Sequence, residues 1–250
     1  MNLSSYFFPI EERPVAVHNG QSDESNFENP LSSSYKAIVR ADTNETISIV
    51  RDSYKIVENE ELVNKLMYEL IHLDSPFKLD PSHSFIQNNR MRLQVTFPDL
   101  TIADSESSIA LSLFLSNSYD MSEGVRLYFG AIRAICSNGM VFGQILSRFY
   151  GRHTKNLEIT NVADNLRTAI DHLPAIQNRI RELEFSPVTP KLVESVEQNI
   201  GKTIAKQVFV DDQPLSAWQA YNRITHIVSH DLDQPLRARY QQNVAKVFEL

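Results

Sequence analysis

The hydrophobic pattern of this chain changes period partway along, and that change limits the folds open to it more than any other feature. Leu93, Val95 and Phe97 alternate with Arg92, Gln94 and Thr96. Leu111, Leu113 and Leu115 alternate with Ser112, Phe114 and Ser116, and Val125, Leu127, Phe129 and Ala131 with Arg126, Tyr128, Gly130 and Ile132. A period of two with one apolar face marks half-buried antiparallel strands. From Thr160 the spacing becomes helical, with Val162, Leu166, Ile170, Leu173, Ile176, Ile180 and Leu183 recurring every three or four residues. The expected class is α+β: a mostly antiparallel β-sheet half over about residues 35–155, then a helical half over about 160–250.

Shorter signals fill in the organisation. Residues 1–34 read as an irregular N-terminal arm, with a turn at Asn19-Gly20 and a stretch rich in Ser, Asn, Glu and Pro, while Tyr6, Phe7 and Phe8 call for an apolar neighbour. Tyr35–Arg40 and Thr46–Val50 predict a hairpin about Asp42-Thr43-Asn44, with Tyr54–Val57 as a third short strand. Asn59 is placed to cap a helix striped by Leu62, Leu66, Met67, Leu70 and Leu73, with Glu60 and Glu61 at its positive end. Residues 74–89 read as loop, and Ser118–Gly124 as a hairpin connection. Thr160 or Asn161 caps the first C-terminal helix, in which Pro174 is a kink position. Thr189-Pro190 opens a second, striped by Leu192, Val193, Val196, Ile200 and Ile204. A third is expected from about Pro214 to Leu232 and a fourth from about Pro235 to Leu250. The division is thus an arm at 1–34, a sheet with one early helix at 35–157, and a helical region at 158–250 packed on the sheet as one unit.

No apolar run approaches the roughly 18–20 residues of a membrane span. The first residues carry Glu11 and Glu12 and lack a basic segment followed by an apolar core, so no signal peptide is read there. The single cysteine, Cys136, rules out an internal disulfide and fits a reducing compartment, and a cytoplasmic location is expected. Net charge is −7, unlike a typical non-specific nucleic-acid binder. Its distribution is uneven. Between Gly124 and Leu157 there is no acidic residue, while Arg126, Arg133, Arg148, Arg152 and Lys155 give +5 and leave −12 on the remainder. Such a segment is either an anion-binding surface or buried sheet whose arginines pair with acids elsewhere. Arg133 shares the parity of Val125, Leu127 and Phe129, so it needs a partner, a ligand, or a β-bulge at Gly130 that shifts the register.

Several familiar chemistries are excluded or weakened. Gly201-Lys202-Thr203 lacks the earlier glycine of a phosphate loop, since Val196 stands there, and it sits within a helical stripe. There is no paired-cysteine metal motif. His226 and His230 are four apart on a predicted helix with Asp231 and Asp233 close by, but no third ligand is assignable, so no metal site and no cofactor is expected. Cys136, with His153 as a possible base, has apolar neighbours and reads first as a small buried side chain. The segment Arg148-Phe149-Tyr150-Gly151-Arg152-His153-Thr154-Lys155-Asn156 stands out because it interleaves cations, aromatics and hydrogen-bonding groups. Guanidiniums grip phosphates and aromatic faces stack on unpaired bases.

Several motifs together resemble the phage/plasmid-like proteins grouped as domain-of-unknown-function family 932. They are Ser116-Asn117-Ser118-Tyr119-Asp120, Arg133 with Cys136-Ser137-Asn138-Gly139, and Arg152-His153-Thr154-Lys155-Asn156. The early Tyr54–Leu62 and the late Tyr221–His226 segments are similar too, so the resemblance spans roughly residues 35–250. Where that family often has glycine after the aspartate of the S-N-S-x-D motif, this chain has Met121. The resemblance implies a mobile genetic element and no established chemistry.

The expected function is a non-enzymatic DNA-binding protein for single strands, serving recombination or annealing, with homo-oligomer assembly and no membrane partner. Its expected nucleic-acid contacts are Arg126, Arg148, Tyr150, Arg152, His153, Lys155 and Asn156, with Phe149 as an alternative stacking ring. Asn117, Asp120, Arg133 and Asn138 are expected to support the site. Two alternatives stay open: a protein-interaction factor using the acidic remainder, and a metal-dependent nuclease or hydrolase drawing on Asp120, His153, His226 or His230.

Overall fold

The computed structural model describes residues 3, 6–17, 31–81, 84–87, 89–105, 108–133, 139–140, 148–151, 162–210, 214–232, 240 and 243–250. Its strands are β1 (Ile10–Val17), β2 (Leu31–Arg40), β3 (Thr46–Arg51), β4 (Lys78–Leu79), β5 (Phe85–Gln87), β6 (Arg90–Ala103), β7 (Ser108–Ser118), β8 (Val125–Arg133), β9 (Gly139–Met140) and β10 (Arg148–Gly151). Its helices are α1 (Asn59–Ile71), α2 (Val162–Phe185), α3 (Pro190–Asn199), α4 (Lys202–Val208) and α5 (Ala217–His230). The class is α+β, a β-rich first half followed by helices.

The strands form two antiparallel sheets. The smaller runs β1-β2-β3 and the larger β10-β8-β7-β6-β4, with β5 also on β6 and β9 on β8. In the larger sheet the alternation predicted from sequence sets the faces. Leu93, Val95, Phe97, Leu111, Leu113, Leu115, Val125, Leu127 and Phe129 are all buried, and one contiguous apolar cluster joins them to Leu62, Leu66 and Leu70 of α1, to Leu166, Ile176 and Ile180 of α2, and to Trp218, Tyr221 and Ile224 of α5. Polar ties reinforce the packing at the far end of β6. The Ala103 amide donates to Gln177 Oε1 (2.7 Å), the Ser105 amide to Glu184 (2.7 Å), and the Trp218 indole to Asp104 (2.8 Å). Among the described residues no helix is long and apolar enough to cross a membrane.

The structure corrects several local readings. Part of the expected arm is ordered strand: β1 pairs with β2, which itself reaches back to Leu31. β1 lies at a sheet edge and its register shifts between Pro14 and Ala16, the setting in which a strand tolerates proline and loses clean alternation. Tyr54–Val57 has no ladder partner and is not a strand. Within the expected loop, Lys78–Leu79 and Phe85–Gln87 pair with β6. Asn59 is the first helical residue and Glu58 holds the cap position, because the Asn59 side chain is engaged elsewhere. No bulge forms at Gly130: β7 and β8 stay in register from Ser116–Arg126 to Ile109–Arg133.

In the helical half, α2 runs as one element through Pro174. Thr189 accepts the Leu192 amide (3.2 Å) and caps α3, with Pro190 in its first turn. The stripe expected to continue to Ile204 is split by Gly201 into α3 and α4. The third helix starts at Ala217 behind Ser216, which forms a capping box with Gln219. Residues 243–248 are helical; the start of the expected fourth helix lies outside the described residues.

Gly201 has φ 122° and ψ 147°, a region essentially reserved for glycine, with open space where a Cβ would stand. Gly201→Ala should therefore destabilise the fold by about 1–3 kcal/mol through backbone strain alone. Urea unfolding measures this, and an unchanged midpoint would show that α3 and α4 do not need this conformation.

Candidate nucleic-acid interface

With the apolar face of the larger sheet buried, the alternate residues of the same strands lie on its other face. Registers align them in rows across the strands. Arg92 of β6 stands opposite Ser116 of β7, Ser116 opposite Arg126 of β8, and Arg126 opposite Tyr150 of β10. The next row runs Gln94, Phe114, Tyr128 and Arg148. Two rows thus bring four strands' worth of cationic and aromatic positions onto one face, although Arg92 and Tyr150 are 58 residues apart in sequence.

The described side chains of the two rows differ in exposure: Ser116 and Gln94 are buried. Arg126 is exposed, and Arg92, Phe114 and Tyr128 are half-buried. The Phe114 and Tyr128 rings stack at 4.9 Å with 16° between planes. Burial pushes the Tyr128 hydroxyl above its ordinary value; Arg92 and Arg126 pull it down and Glu123 pushes it up. It therefore remains a neutral O–H at pH 7, able to donate. Arg92 is half-buried on this face, and among the described residues it forms no ion pair.

The turn between β7 and β8 closes one end of this face. Asp120 accepts from the Ser122 amide (2.9 Å) and the Ser122 hydroxyl, and its Oδ2 lies 3.7 Å from Arg90 Nε. Burial would raise the Asp120 carboxyl, but the Ser122 and Ser118 hydrogen bonds and Arg90 outweigh it and hold the group below its usual range. The Ser118 hydroxyl donates to the Glu123 carbonyl (2.8 Å) and accepts the Glu123 amide (3.1 Å). Met121 occupies the left-handed region at φ 61°, so the turn keeps a conformation suited to glycine while carrying a side chain.

Asn117 faces the opposite way. It is fully buried, and its Nδ2 donates to the Val57 carbonyl (2.9 Å) and to Asn59 Oδ1 (2.8 Å). The Tyr119 hydroxyl accepts the Asn59 amide (2.7 Å), and burial raises both Tyr119 and, to about 12, Tyr54. Asn117 and Tyr119 are therefore braces for the start of α1.

Of the residues singled out from sequence, Arg126, Arg148 and Tyr150 share the two rows. Arg133 ends β8 opposite Ile109. Asn138, Arg152, His153, Lys155, Asn156 and Cys136 lie outside the described residues. Sequence reasoning missed Arg92 and Phe114. The signal was present, since both occupy polar-face positions of alternating strands, but their proximity to Arg126 and Tyr128 depends on register. His226 and His230 are exposed neighbours on α5 with ring centroids 4.5 Å apart, and no group of three potential metal ligands occurs among the described residues.

The fold and this face define an α+β protein whose antiparallel sheet is apolar beneath the helices and basic and aromatic on the other side. The family described as Domain of unknown function (DUF932) matches residues 46–249, and the chain belongs to that family. No curated protein and no solved structure matches it.

Two substitutions test the turn. Asn117→Ala should cost about 2–3 kcal/mol, because it leaves the Val57 carbonyl and Asn59 Oδ1 buried without their donor. Met121→Gly should stabilise by about 1 kcal/mol by relieving a left-handed non-glycine residue whose side chain is exposed. Both are read from chemical denaturation, and a destabilised Met121→Gly would show that the methionine side chain contributes contacts worth more than the strain.

Proposed function

We propose that this chain is a non-enzymatic single-stranded-DNA-binding protein whose contact surface is the polar face of the larger sheet. The observation that carries the reading is the row Arg92–Ser116–Arg126–Tyr150 beside Gln94–Phe114–Tyr128–Arg148. Arginines supply charge-assisted contacts to phosphates, and the flat face of an antiparallel sheet with aromatic positions is a surface on which unpaired bases stack. The −12 on the remainder of the chain works in the same direction, since it repels a polyanion from other surfaces and confines binding to the basic one. Arg152, His153, Lys155 and Asn156 follow β10 directly in the chain and join the proposed contacts on sequence grounds alone. Service in recombination or annealing on a mobile genetic element, with several copies assembled along a strand, is the setting that the motifs imply and forms part of the same proposal.

Fluorescence anisotropy of labelled single- and double-stranded oligonucleotides across a salt series tests this. Wild type should bind the single strand better, with affinity falling as salt rises, and Arg92→Glu/Arg126→Glu should lose at least about tenfold while keeping its unfolding midpoint. Absence of binding at low salt, or binding indifferent to salt, would sink the reading.

A further inference from the structure

The turn between β7 and β8 holds a charged group whose side chain the turn itself does not use. Glu123 is fastened through its backbone: its amide donates to the Ser118 hydroxyl (3.1 Å), and its carbonyl accepts from the same hydroxyl (2.8 Å). The side chain is half-buried, and one carboxylate oxygen is buried with no hydrogen-bond partner among the described residues. A buried acceptor left unpaired is costly, more so when charged, and a bound group is one of the few things that account for it. The other carboxylate of the turn is already engaged, since Asp120 takes the Ser122 amide and hydroxyl and faces Arg90 at 3.7 Å. Rows of the polar face lead away from Ser118 at about 7 Å intervals along the strands. They run Arg90–Ser118, then Arg92–Ser116, then Gln94–Phe114–Tyr128. Arg92 therefore stands one row from the anchor of Glu123 and one row from the aromatic pair. Tyr128 is held ring to ring against Phe114 at 4.9 Å. Its hydroxyl, raised chiefly by burial, is also pulled down by Arg92 and pushed up by Glu123. Gln94 and Ser116 are buried and take no part. Glu123, Arg92 and the Tyr128 hydroxyl thus act on one small region, as an acceptor beside two donors.

Unpaired bases are read by hydrogen bonds along their pairing edges. Guanine alone offers there two neighbouring N–H donors, N1–H and the 2-amino group, beside a carbonyl oxygen, O6. A carboxylate matches the two donors as a fork, and a guanidinium matches O6. Thymine offers one N–H between two carbonyls. Adenine and cytosine set an amino group next to a ring acceptor, which a carboxylate repels. We infer that Glu123 is a guanine-selecting residue of the single-strand surface: its carboxylate takes the N1–H and 2-amino protons of an unpaired guanine, with Arg92 and the Tyr128 hydroxyl donating to O6. The inference rests on the single-strand reading and deepens it, giving the surface a base preference that phosphate contacts do not supply. A carboxylate beside a phosphate-binding surface also weakens the hold on every other base, so selection works by repulsion as well as by attraction.

The test uses the full chain and labelled thymidine-rich single strands of one length, carrying guanine, inosine or thymine at the central position. Inosine keeps O6 and N1–H and lacks the 2-amino group. Wild type should bind the guanine strand about fivefold or more tighter than the thymine strand, with the inosine strand between them. Glu123→Gln leaves the backbone bonds to Ser118 in place but sets an amide N–H against the guanine donors. It should abolish the preference, while the thymine strand binds as well as before or better. Urea unfolding reports whether the variant keeps its fold. Should its midpoint fall, Glu123→Asp, which keeps the charge but draws it back by one methylene, takes its place with the same loss of preference expected. Equal binding of the guanine and thymine strands by wild type, or a preference that survives the substitution, would overturn this inference and leave single-strand binding intact. No binding of any strand at low salt would overturn it together with the reading beneath it.

Discussion

Burial of three alternating apolar rows under the helices is the constraint from which the rest of the structure follows. Leu93, Val95 and Phe97, with their partners Leu115, Leu113 and Leu111 and then Leu127, Phe129 and Ala131, are locked into one register. Each fully buried leucine, valine or phenylalanine contributes about 1.5–3 kcal/mol. A slip of a single residue would turn the whole set toward water, so the register has no low-energy alternative. Once it is set, Arg92, Ser116 and Arg126 must emerge together on the reverse face. The candidate interface is thus a consequence of core packing, with no separate scaffold needed to gather its residues.

The second junction is polar. Asn117 shares the parity of Leu115 yet is an amide in the core, and it pairs with Val57 and Asn59 where α1 begins. Its neighbour Tyr119 takes the Asn59 amide and gives its own carbonyl to the Ser48 hydroxyl of β3 (2.8 Å). Phe8 packs edge-on against Tyr119 at 5.4 Å, and the Arg40 guanidinium lies 4.3 Å over Phe8. The smaller sheet, α1 and the larger sheet therefore meet at one short motif. Within Ser116-Asn117-Ser118-Tyr119-Asp120 the residues divide by direction: Asn117 and Tyr119 hold the fold, while Ser116 and Ser118 belong to the polar face and its boundary.

Element type was legible wherever one strong pattern ran uninterrupted. The strands at 92–97, 111–116 and 125–132, the stripe of α2 and the Thr189-Pro190 start of α3 all appear because each is dictated by local spacing or by a capping side chain. Misreadings fell where local signals were weak. β1 carries Glu11, Glu12, Arg13 and Pro14 because an edge strand needs little apolar surface and one side of its backbone goes unpaired. β4 and β5 are too short to show a period, and they exist because β6 offers them a free edge. Asn59 looked like a cap because asparagine commonly is one; its pairing with Asn117, 58 residues away, has no local signature.

The class, the apolar faces and the charge asymmetry are legible in residue order alone, because these depend on the succession of residue types over spans of a few to a few dozen positions. Which polar-face positions became neighbours was settled by strand register. Arg92, Arg126 and Tyr150 come from three strands separated by long connections, and their alignment is a property of hydrogen-bonded register. The same is true of Arg90 and Asp120, adjacent in space and 30 apart in the chain. Long-range pairing is set by the burial of the opposite face, and no stretch of sequence near either residue records it.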